Sequence, residues 1–179
     1  MNTKSTNKIK LLIICVVCIL VFFILFPTNA NGIRTAVVND QNGDIAFCYY
    51  DSKGVQDVIK VCLFTKDGEE LYSKVFVTGM SPDMIFVDET LCMVVHYGTR
   101  ETKYFYDREG NETYLNISSE EINNPTGFEG WDYCFGNFTL YKEDYEYRYE
   151  QPFFFRKRAR LTITKGDTML VIYESPEKD

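Results

Sequence analysis

From residue 32 onward the sequence is a succession of short β-branched and aromatic runs, each stopped by turn-forming residues. Thr35–Val38 leads into Asn39-Asp40-Gln41-Asn42-Gly43-Asp44, where Asn-Gly is the strongest short hairpin signal. Ile45–Tyr50, Val58–Thr65 and Leu71–Val77 follow, with Asp51–Asp57 and Lys66-Asp67-Gly68-Glu69 between them. The scheme then repeats with Met84–Val87, Leu91–Tyr97, Thr102–Tyr106, the turn Asp107–Asn111, and Thr113–Ile117. Runs so closely spaced predict an antiparallel, all-β domain over residues 31–179. No amphipathic helix of useful length interrupts them. Ser118–Pro125 allows one helical turn, since Ser118 and Glu121 fit a capping box.

The first thirty residues obey a different rule. Lys4, Lys8 and Lys10 precede an unbroken apolar run, Leu11–Phe26, that Pro27 ends. Sixteen residues at about 1.5 Å rise reach roughly 24 Å, and flanking Ile9 and Thr28 bring a helix close to the ~30 Å hydrocarbon core. The expectation is a basic cytoplasmic tail (1–10) and an uncleaved membrane anchor (11–28), the membrane being the first partner. The alternative is a cleaved signal peptide, for which Thr28-Asn29-Ala30 supplies a loose small-x-small site and which leaves a secreted domain. Both place the C-terminal domain outside the cytoplasm. Residues 31–179 carry 16 basic against 26 acidic side chains, a net of −10, which excludes nucleic-acid binding by general electrostatics. The 28 aromatics (13 Tyr, 14 Phe, 1 Trp) within 45% hydrophobic content argue against disorder.

The β-rich stretch also repeats itself. Phe64-Thr65-Lys66-Asp67-Gly68-Glu69 aligns with Tyr106-Asp107-Arg108-Glu109-Gly110-Asn111, so that Gly68 and Gly110 lie 42 residues apart, and Cys48 falls near Cys92. A more divergent third copy runs from Trp131 to Tyr173 and closes through Lys165-Gly166-Asp167. On these turn glycines and strand spacings, residues 34–173 resemble the blade repeats of β-propellers, each a four-stranded meander of about 40–45 residues. The resemblance implies an antiparallel meander of three blade-like units, fewer than the ~4 that closed propellers need, and it carries over no functional residue. An ordinary β-sandwich is the alternative fold.

Four cysteines lie outside the apolar run: Cys48, Cys62, Cys92 and Cys134. They sit in apolar strands, where a free thiol behaves as a small buried hydrophobe, and an even count in an exported domain also permits disulfides. Cys48 with Cys62 is the pairing to test, because the two flank a loop centred near Gly54-Val55. No Cys-x-x-Cys occurs outside the apolar run, so nothing points to a metal or redox cofactor. The chain holds no phosphate-binding glycine loop, nucleophile elbow or His-Glu-x-x-His. Its single histidine, His96, ends an apolar strand and reads as a structural residue. Asp40–Asp44 superficially suggests a calcium loop, but its glycine stands fourth rather than sixth and it reads as a hairpin turn.

The most distinctive segment is Tyr141–Phe155, followed by Arg156, Arg158 and Arg160. With period two, a continuous strand sets Tyr141, Tyr145, Tyr147, Tyr149, Phe153 and Phe155 on one face and Lys142, Asp144, Glu146, Arg148 and Glu150 on the other. The aromatic face is either a core face or an exposed tyrosine platform for a glycan or a protein. The three arginines either pair across strands with Asp144, Glu146 and Glu150 or form an anion site for an envelope polymer or a carboxylate-bearing partner. Core tyrosines and paired arginines are the working expectation. The functional expectation is a non-enzymatic, membrane-anchored domain that binds a protein or glycan partner. The alternative is an envelope-tethered hydrolase using carboxylates, for which composition leaves room and no motif speaks.

Overall fold

In the computed structural model, which describes residues 32–51, 58–78, 80–123, 137–151 and 158–176, the turn-punctuated runs become antiparallel strands. The expected tail and anchor (1–28) lie outside the described residues, as do Trp131, Cys134, Phe153, Phe155 and Arg156. Among the described residues no helix is long and apolar enough to cross a membrane.

Strands β1 (Ile33–Val38), β2 (Ile45–Tyr50), β3 (Val58–Phe64) and β4 (Glu70–Val77) pair in chain order as a first sheet. Strands β5 (Asp83–Val87), β6 (Thr90–Tyr97) and β7 (Arg100–Tyr106) form a second, three-stranded sheet. Strands β8 (Phe138–Lys142), β9 (Tyr145–Glu150), β10 (Arg160–Lys165) and β11 (Thr168–Glu174) form a third. All three are meanders and none closes on itself. The repeat is visible in the hydrogen bonds. Gly68 N–H donates to the Thr65 carbonyl and Thr65 N–H to that of Glu69; Gly110 and Asp107 donate in the same way to Asp107 and Asn111. Both glycines hold φ near +80° (85° and 82°), a left-handed backbone that a side chain disfavours.

Two local expectations are corrected. Thr113–Ile117 is not a strand: pairing stops at the single bridge Tyr106–Glu112, and Leu115 and Ile117 turn under the second sheet instead. Apolar burial thus takes the place of a fourth strand. Tyr141 and Tyr145 do not share a continuous strand either. Glu143-Asp144 forms a tight turn, with Glu143 at φ 53°, which folds β8 back on β9 and leaves Tyr141 on the opposite face. The short helix α1 (Ser119–Asn123) forms where the capping box predicts it: Ser118 N–H and hydroxyl both donate to Glu121 Oε2 (2.9 and 2.7 Å), and Glu121 N–H donates to Ser118 Oγ.

The sheets stack. The first sheet buries one face, with Ile45, Phe47 and Phe64, against Tyr145, Tyr147, Tyr149, Leu161 and Ile163 of the third. Its other face, with Ala46, Ile59, Val61 and Leu63, meets Leu91, Met93 and Val95 of the second. The far face of the second sheet (Cys92, Val94, Phe105) is covered by Ile122 of α1 with Leu115 and Ile117. The β1–β2 loop ties all three sheets together. Asn39 Nδ2 donates to the Asp88 carbonyl (2.7 Å), the Asp44 carboxylate accepts from Arg108 Nε (2.7 Å), and the Gly43 carbonyl accepts from the Tyr147 hydroxyl.

Candidate binding surface

The third sheet contains most of the residues singled out from the sequence. Tyr145, Tyr147 and Tyr149 are 6%, 0% and 1% exposed, and they are core side chains rather than a platform. Each phenol still finds a polar partner. Tyr145 reaches Asp67 Oδ1 (3.2 Å), Tyr147 the Gly43 carbonyl, and Tyr149 accepts from Ile33 N–H (3.1 Å) while donating to Gln151 Oε1 (3.2 Å). Burial pushes the Tyr149 phenol up to about 12 and the Tyr147 phenol higher still. The Tyr147 and Tyr149 hydroxyls therefore stay protonated, as donors into the interface between sheets.

The arginines take a partner other than those expected. Arg158 Nη1 and Arg160 Nε both reach Glu174 on β11, at 2.8 and 2.6 Å. Their hydrogen bonds, that from Arg158 foremost, hold the Glu174 carboxyl below the usual range. The register explains the choice: Arg160 stands opposite Glu174 on one side and Glu150 on the other, and Glu150 is taken by Arg148 (2.6 Å). Asp144, at the β8–β9 turn, pairs with Lys165 (3.3 Å).

Cys48 and Cys62 are free and buried. Phe47 stands opposite Cys62 and Val61 opposite Cys48, so the register is one residue away from the one that would align the two thiols. With side chains alternating along a strand, that offset sends Cys62 toward the third sheet and Cys48 toward the second. Desolvation raises both thiols to about 12, and Cys92 to about 11, which keeps them as unreactive thiols.

His96 lies between two carboxylates, Nε2 at 2.9 Å from Asp83 and Nδ1 at 3.6 Å from Glu101, and so ties together the ends of β5, β6 and β7. The nearby Thr78 hydroxyl bonds the His96 backbone carbonyl, not its ring. Among the described residues no group of three or more His, Cys, Asp or Glu side chains is arranged to hold a metal ion.

Sequence reasoning missed the surface on the other side of the buried tyrosines. The outer face of the third sheet presents Thr139 and Tyr141 from β8, Glu146 and Arg148 from β9, Thr162 and Thr164 from β10, and Met169 and Val171 from β11, in register. Tyr141 is 74% exposed, Met169 62% and Val171 48%. Arg160 and Glu174 close one end of this face. Its signal in the sequence was the uncharged run Thr168-Met169-Leu170-Val171-Ile172, whose outward residues are as apolar as its inward ones. An apolar and hydroxyl-bearing sheet face, at a strand edge unpaired among the described residues, suits contact with another molecule.

Comparison with known proteins identifies no relative: no family model, no curated protein and no solved structure matches the chain.

Proposed function

We propose that this chain is a membrane-tethered, extracytoplasmic β-domain that binds a protein or glycan partner through the outer face of its third sheet. One observation carries the reading. Among the described residues, the outer face of the third sheet is bare while displaying Tyr141, Met169 and Val171, whereas the exposed apolar side chains of the first sheet, Val75 and Val77, are confined to its edge strand β4. Solvent-facing positions of an antiparallel sheet are ordinarily polar, so three large apolar side chains among threonines favour a contact surface. The stacking supports three blade-like units: each begins a meander, packs face to face with a neighbour, and carries a positive-φ glycine after its third strand at Gly68, Gly110 and Gly166. The tether rests on the apolar run Leu11–Phe26 behind three lysines. A secreted form after cleavage at Thr28-Asn29-Ala30 would present the same surface.

A photo-activated crosslinking residue placed at Tyr141, Met169 or Val171 in intact cells tests this. The expected result is a discrete adduct from these positions and none from Glu120, in α1. Adducts of equal yield from both regions, or from neither, overturn the assignment.

A further inference from the structure

The stack has two ends of unlike charge, and the chain enters at one of them. At the entry end, Ile33 N–H donates to the Tyr149 hydroxyl, and Gly32 lies so close that an added Cβ would sit 3.0 Å from Gln151 Oε1. The far end gathers the connections at 39–44, 65–70, 88–89, 107–112, 142–144 and 165–167. They are linked by Asn39 to Asp88, Asp44 to Arg108, Lys142 to Asp40 and Lys165 to Asp144. Those far-end segments hold thirteen acidic and four basic side chains, a net of −9. The described segments of the entry end (32–34, 49–51, 58–60, 75–78, 80–83, 96–101, 137–139, 148–151, 158–160, 174–176) hold six basic against five acidic, a net of +1. Its cations are Arg34, Lys60, Arg100, Arg148, Arg158 and Arg160.

We propose that the entry end rests on an anionic lipid surface and holds the acidic end away from it. The proposal deepens the tethered reading and depends on it. Five residues, Pro27 to Asn31, separate the apolar run from Gly32, a reach of at most ~20 Å from the bilayer. The far end stands one strand length further, roughly 20–25 Å for six to eight residues. At physiological salt the Debye length is about 8 Å. Upright, the domain therefore keeps its net −9 beyond the range of the lipid charge and brings its arginines within it; lying flat, it would bring both ends close.

The full chain reconstituted in vesicles tests the orientation, with a fluorophore at Asn137 (entry end) or Asp167 (far end) and a quencher on lipid headgroups. In vesicles containing phosphatidylglycerol the Asn137 probe should be quenched at least about twofold more than in phosphatidylcholine alone, and ~1 M salt should abolish the difference. Arg148→Glu with Arg160→Glu should abolish it too, with circular dichroism checking that the fold persists. The Asp167 probe should stay unquenched throughout. Equal quenching at both positions, or quenching at Asn137 indifferent to lipid charge and salt, overturns the proposal. Carbonate extraction separates the two failures: a protein stripped by carbonate loses the anchor reading and the orientation with it, and a protein that resists carbonate but ignores lipid charge loses the orientation alone.

Discussion

The first and third sheets are built alike, as four-stranded meanders, yet they solve opposite problems. The first lies between two neighbours, so β2 reads Ile45-Ala46-Phe47-Cys48 with all four side chains buried. The third has one neighbour among the described residues, and β9 alternates: Tyr145, Tyr147 and Tyr149 inward, Glu146, Arg148 and Glu150 outward. The difference teaches that a strand's sequence records how many of its faces are covered, not only that it is a strand. It also accounts for the size of the inward residues. A sheet with one core face must gain from that face what the first sheet gains from two, and three tyrosines with their hydroxyls bonded supply it.

The contrast breaks most readily at its largest contact. Tyr147→Ala should cost about 3–5 kcal/mol, whereas Met169→Ser on the bare face should stay within about 0.5 kcal/mol. Denaturant unfolding of both variants measures this, and a Tyr147→Ala protein as stable as the parent would refute a two-sheet core.

Alkali is the next lever. Burial raises the Tyr149 phenol from its ordinary value of 10.0 to about 12 in the folded chain. A raised folded value means that the stabilisation is whole below pH 10 and is lost as pH climbs toward 12. This phenol alone accounts for about 2–3 kcal/mol. Cys48 and Cys62, raised from 9.0 to about 12, add loss of the same sign from both faces of the first sheet. Melting temperature should therefore fall steadily from pH 9 to 12, with tyrosinate absorbance rising in step with unfolding; a flat profile over that interval contradicts the packing.

The smallest effect belongs to the bare face. Arg158→Glu leaves Arg160 on Glu174 and should lower the melting temperature by less than about 4 °C. The arginines depress the Glu174 carboxyl, so the pairing is intact above the ordinary carboxylate range and is lost as pH falls through the lowered value. The difference between variant and parent should accordingly shrink in acid. A large loss at neutral pH would mean that this face is covered after all.

How far the sequence could be read follows from the same contrast. Strand positions were legible because Asn42-Gly43, Gly68, Gly110 and Gly166 mark turns by local chemistry. The capping box at Ser118 and Glu121 was legible for the same reason. Register was not: a one-residue slip between β2 and β3 changes Cys48 and Cys62 from facing neighbours into residues on opposite faces. The Glu143-Asp144 turn was hidden because its positive-φ position is held by Glu143 rather than by glycine or asparagine, and a run of alternating tyrosines masked it. Nor does local chemistry show which sheet covers which, and the bare face follows only from that stacking.

The β1–β2 loop that fastens the three sheets has a consequence for how the chain comes into being. The Gly43 carbonyl waits for Tyr147, 104 residues further along, and Phe47 and Phe64 wait for Leu161 and Ile163. A chain emerging from its N-terminus thus makes first the sheet with two apolar faces, and makes last the sheet that shields one of them. Until the third sheet has emerged, that early sheet is a sticky intermediate, and long-range closures of this kind are slow. Nascent chains stopped near residue 123 should be clients of holding chaperones, and the native state is one that only a chain carrying the third sheet can reach.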